Sequence, residues 1–91
     1  MDKEELYHIL LERDAKAQAT VAIEELAELQ KELTKYIRGK LDKSNLLEEY
    51  VDVTIMLEQL RILFDFSDRD IQLAKDYKLK RIEERLQNNS L

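Results

Sequence analysis

A chain of 91 residues is one domain at most, and a domain this small buries a modest share of its surface and is marginally stable alone. With 20 acidic residues against 15 lysines and arginines, the net charge of −5 argues against a broad nucleic-acid-binding face, and the lack of cysteine removes disulfides and thiolate metal sites, leaving hard oxygen donors. No apolar run approaches the roughly 20 residues of a membrane span, and Met1-Asp2-Lys3-Glu4-Glu5 lacks the basic and apolar regions of a signal peptide, so a soluble cytoplasmic protein with no membrane partner is expected.

Gly39 is the only glycine and proline is absent, which disfavours many tight β connections and predicts an all-α chain. Asp2 can cap a first helix through about Glu12, with Leu6, Ile9 and Leu10 at helical spacing. A second helix is expected from about Asp14 to Arg38, marked by Ala22, Leu26, Leu29, Leu33 and Tyr36 and stopped at Gly39. Nothing at Arg13 and Asp14 forbids one continuous helix instead. Residues 39–43 read as a polar connection, and Ser44 or Asn45 can cap a third helix to about Phe64. Ser67 with Asp70 resembles a capping box and opens a last helix reaching about Gln87, after which Asn88-Asn89-Ser90 is expected to fray. Short connections between four helices predict a compact bundle of antiparallel neighbours, with the short first helix able to cross the others. So small a core makes self-association a natural expectation.

The second and third helices share one local pattern, Glu24-Glu25-x-x-Glu28 and Glu48-Glu49-x-x-Asp52. Residues three apart lie on one helical face, so each helix can present two carboxylates to a common point. An E-x-x-E pair alone says little, since solvated faces of an acidic chain produce it freely. Position on the helical wheel says more: Glu49 falls among Leu46, Val53, Met56, Leu57 and Leu60, near the middle of the apolar face, with Asp52 at its edge. A carboxylate there must be paired, hydrogen-bonded or bound to a metal. Two readings follow: lysine or arginine from another helix pairs with Glu49 and Asp52 in a structural network, or a divalent cation is held by Glu25, Glu28, Glu49 and Asp52. Magnesium suits a few carboxylates with several retained waters, and commonly binds together with substrate phosphates. Di-iron chemistry of the ferritin kind needs Glu-x-x-His pairs, and His8, the only histidine, belongs to none.

The last helix offers counter-charges in Lys75, Lys78, Arg81 and Arg85, with Lys75 along the stripe of Ile71, Leu79 and Ile82. They suit phosphate oxygens; equally, Lys75 can snorkel to water and Arg81 and Arg85 can complement the carboxyl end of their helix. Tyr7, Tyr36, Tyr50, Phe64 and Phe66 could stack a base, but aromatics at helical spacing are more often core.

The stretches 22–29 (AIEELAEL) and 47–53 (LEEYVDV) resemble the MazG-like all-α nucleoside triphosphate pyrophosphohydrolases, whose hallmark is an E-x-x-E and an E-x-x-D pair on consecutive helices. The likeness continues through residues 55–60 and the Lys78-x-x-Arg81 spacing, and covers about Gln18 to Arg85. It implies a short single-domain member that hydrolyses a nucleoside triphosphate between the α and β phosphates to a nucleoside monophosphate and pyrophosphate. It further implies magnesium, with manganese able to substitute, on Glu25, Glu28, Glu49 and Asp52, and assembly as a homodimer or homotetramer with sites near subunit interfaces. Many relatives carry a tryptophan before the first acidic helix, whereas this chain has Arg13-Asp14 there, a departure that bears on base recognition. A different class of function is a non-catalytic helical oligomerisation or interaction module, a degenerate relative in which the acidic pairs tune solubility and partner choice.

Overall fold

The structure, a computed structural model, describes residues 1–88. It comprises three helices, α1 (Lys3–Ile37), α2 (Lys43–Leu63) and α3 (Asp68–Gln87), and no strand occurs among the described residues. The expected fraying of residues 89 and 90 lies outside them.

α1 is kinked. Asp14 alone leaves helical geometry (φ −163°, ψ 93°), and its carboxylate accepts from the Ala17 N–H at 3.0 Å, so it caps the second half of the helix as Asp2 caps the first through Glu4 N–H. The break expected at residues 13–14 is therefore a bend within one long element. At the start of α2 the cap is Asp42, not Ser44 or Asn45: its carboxylate takes the Asn45 N–H at 3.1 Å, and a side-chain acceptor three residues ahead satisfies a donor that nothing else in the turn can reach. Ser67 caps α3 through the Asp70 N–H, as its spacing predicts.

The first two helices end alike. Gly39 N–H donates to Tyr36 O and Lys40 N–H to Lys35 O; after α2, Asp65 N–H donates to Ile62 O and Phe66 N–H to Arg61 O. These paired closures need a left-handed residue, which is Gly39 (φ 74°) in one case and Asp65 (φ 54°) in the other. They reverse the chain sharply and set α2 antiparallel to α1.

The two helices meet along α1's inner face. Buried Tyr7 hydrogen-bonds through its phenol to Glu58, which also pairs with Lys3 at 3.4 Å, while Arg61 holds Glu4 at 3.0 Å. The apolar core is small, consisting of Tyr7, Ala22, Val53 and Met56, with Glu32 and Gln59 buried beside it. Of the aromatics expected in the core only Tyr7 is there; Tyr36, Tyr50, Phe64 and Phe66 are exposed, because their faces of α1 and α2 and the turn beyond α2 have no partner in the chain.

α3 packs on neither α1 nor α2 and contributes no buried residue. The compact four-helix bundle is thus not formed within one chain. A folded chain of this length has a radius of gyration of about 12 Å; here it is 16.5 Å. No helix among the described residues is long and apolar enough to cross a membrane.

Candidate cation site

The hairpin turn at Gly39 brings the carboxyl half of α1 beside the amino half of α2, and with it the two acidic patterns. On α1, Glu25 lies on the inner face together with Ala22 and Leu29; on α2, Glu49 lies one turn before buried Val53. One carboxylate oxygen each from Glu25, Glu49 and Asp52 lies within 4.8 Å of the others. Oxygens around magnesium, at about 2.1 Å from the ion, stand about 3.0 to 4.2 Å apart, so the three side chains need only a small contraction to share one cation.

The electrostatics of the bare cluster are unfavourable. Glu25 is pushed above the ordinary carboxylate value first by desolvation, then by the charges of Asp52 and Glu49, a hydrogen bond with Asp52, and Glu28. Glu49 is raised likewise, first by desolvation and then by Asp52, Glu28, Glu32 and Glu48. No lysine or arginine is paired with Glu25, Glu49 or Asp52 among the ion pairs of the described residues, which join Lys3 to Glu58, Lys35 to Glu32 and Arg61 to Glu4. A structural charge network of the kind weighed against a cation is therefore not what these three carboxylates make.

Glu28 stands at the margin. It is exposed and outside the tight triad, yet close enough for its charge to raise both Glu25 and Glu49. Lys75, Lys78, Arg81 and Arg85 belong to α3, which does not pack on the two acidic helices, so the single chain does not bring them to the cluster. Lys78, Arg81 and Arg85 line a shallow cleft with Ile82, and Arg81 lies over the Tyr77 ring at 5.9 Å. His8 is exposed.

One residue of the neighbourhood was missed by pattern reading. Glu32 is 5% exposed, the most buried charged side chain described, and pairs through Oε1 with Lys35 at 3.0 Å. The signal was present: Glu32 follows Glu25 by seven positions, about 20° apart on the helical wheel, and Glu28 by four. Beside it an open apolar groove of about 480 Å³ runs between Leu29, Leu33, Leu46, Leu47 and Tyr50, with Lys43 at its edge.

Comparison with protein-family models, characterised proteins and solved structures finds no match to this chain.

Proposed function

We propose that the chain is a magnesium-dependent nucleoside triphosphate pyrophosphohydrolase, cleaving between the α and β phosphates to a nucleoside monophosphate and pyrophosphate. The observation that carries this reading is the convergence of Glu25, Glu49 and Asp52 from two helices to within 4.8 Å, with no cation of the protein to neutralise them. Glu28 completes the set as substrate enters. A bound magnesium, or manganese in its place, supplies a water acidic enough to attack at phosphorus and neutralises charge on the phosphate oxygens. The protein's part is to hold the ligands on rigid helices and to keep Glu25 and Glu49 in a partly desolvated cleft, where a divalent ion is favoured over two free charges.

Triphosphate oxygens need further positive charge. Lys75, Lys78 and Arg81 are its source, delivered by α3 of another copy in a homodimer or homotetramer, since the chain's own α3 stands away from the cluster. The unpaired apolar faces of all three helices favour that self-association. They are also the observation behind the second reading, a non-catalytic helical interaction module.

The test is pyrophosphate release from a panel of canonical and damaged nucleoside triphosphates, with and without magnesium, by the full chain and by Glu49→Gln. Metal-dependent release by the wild type and its loss in the variant, whose metal-free fold should be as stable or more so, is the expected result. Absence of release across the panel, with an unfolding curve that magnesium does not move, would establish the interaction module instead.

A further inference from the structure

Glu32 is the one buried charged side chain whose hydrogen bonding is left half done. Its Oε1 accepts from Lys35 Nζ at 3.0 Å, while Oε2 is buried and meets no donor. A buried carboxylate oxygen without a partner is costly, and a small domain does not keep one unless something else satisfies it.

Its place in the fold says what that is. Glu25, Glu28 and Glu32 follow one another up the inner side of α1, and the span from Glu25 to Glu32 is about 10 Å along the axis. That ladder is longer than a single ion requires. Opposite it, Glu49 sits one turn beyond Leu46, which shares a groove with Leu29 and Leu33, the residues on either side of Glu32's turn. Glu49 is thus flanked on one side by the compact triad and on the other by Glu32, whose charge it feels.

Resting on the pyrophosphohydrolase reading, we propose that Glu32 is an additional cation ligand, its free Oε2 joining Glu28 and Glu49 at a second divalent-ion position beside the one held by Glu25, Glu49 and Asp52. Glu49 bridges the two positions. Paired ions in sites of this type stand about 3.5 to 4 Å apart, a spacing one bridging carboxylate spans. Lys35 holds the other Glu32 oxygen and fixes its rotamer.

Manganese binding to the full-length chain, followed by electron paramagnetic resonance, tests this without recourse to turnover. The wild type is expected to take two ions per chain. Glu32→Gln, which preserves shape and an acceptor for Lys35, is expected to keep one and to weaken the other about tenfold or more. Lys35→Gln, which frees the second Glu32 oxygen, should retain both and tighten the weaker. Unfolding midpoints in chelator establish that each variant is folded. Two ions bound with unchanged affinity in Glu32→Gln, or a single ion indifferent to it, would overturn the Glu32 assignment and leave the triad intact. Absence of manganese binding in the wild type would overturn both this assignment and the proposed activity.

Discussion

At the scale of residues, the feature that matters is a set of carboxylates held closer together than their charges favour. Glu25 and Glu49 are both raised above their ordinary value of 4.5, chiefly by desolvation and then by neighbouring carboxylates. A carboxyl whose folded value exceeds its unfolded one binds more protons in the native state. It therefore contributes stability below the unfolded value, and that contribution is lost as pH rises through the folded value. In chelator, the urea midpoint should accordingly fall as pH is raised from about 4.5 toward neutrality. Glu25→Gln and Glu49→Gln should each flatten that fall, and magnesium at neutral pH should reverse it by binding the ionised form. A metal-free midpoint that rose monotonically over this window would show that other groups outweigh the cluster. Glu58 illustrates the opposite case: with Tyr7 donating to it and Lys3 beside it, it has a structural occupation and needs no ion.

At the scale of elements, the two closures after α1 and α2 place the site, because they make α2 run back along α1. Both require a left-handed residue; Gly39 meets that need freely and Asp65 does so with strain. A Cβ at position 39 would meet nothing within 4 Å, so Gly39→Ala should destabilise through the backbone alone, by about 1 kcal/mol. Asp65→Gly should stabilise by a similar or smaller amount, up to about 1 kcal/mol, since it relieves the same strain. Urea unfolding of the two variants checks this opposition of sign; destabilisation by Asp65→Gly would mean that the Asp65 side chain does more than tolerate its geometry. The kink at Asp14 belongs to this scale too. It lets the first half of α1 pair with the far end of α2, through Tyr7 with Glu58 and Glu4 with Arg61, while the second half keeps its acidic face on Glu49 and Asp52.

At the scale of the whole molecule, the accessible surface is 7604 Å², whereas a compact monomer of this mass exposes about 5,600 Å². The excess of about 2,000 Å² is as large as a full protein–protein interface. It is largely apolar and sits where the single chain has no partner: Ile71, Leu79, Ile82 and Leu86 on α3, Leu33, Leu47 and Tyr50 along the hairpin. α3 is also the basic part of an acidic chain, with six lysines and arginines against five acidic residues, while the remainder has nine against fifteen. A second copy of the chain offers each apolar face a partner and each charge its opposite. Light scattering should give a multiple of 10.9 kDa. Leu79→Asp with Ile82→Asp should reduce it to that of one chain and lower the unfolding temperature. These side chains touch nothing within the chain, so only a lost interface can account for such a change. An unaltered mass in this double variant would exclude α3 from the interface.

Helix type, most helix ends and the pairing of the two acidic patterns were legible in the sequence, because each rests on local chemistry. A period of 3.6 in the apolar side chains, Ser67 three residues ahead of a free N–H, and Gly39 where only a left-handed residue fits are all properties of a few neighbouring positions. The cap at Asp42 was missed by two or three residues because Ser44, Asn45 and Asp42 are all competent, and the backbone path decides among them. What the tertiary structure alone decided is how the elements meet. Pattern reading put Glu25, Glu28, Glu49 and Asp52 on equal terms, but the rotation of α1 against α2 gathers three of them and leaves Glu28 at the rim. The same rotation buries Glu32, whose place in a chain of 20 acidic residues carried no local mark. The apolar stripe of α3 showed that this helix must bury a face, yet periodicity says nothing of whether the partner lies in the same chain, since burial of apolar surface has no preference for covalent neighbours. Only the path of the backbone beyond Asp65, which carries α3 away from the hairpin, answers that question.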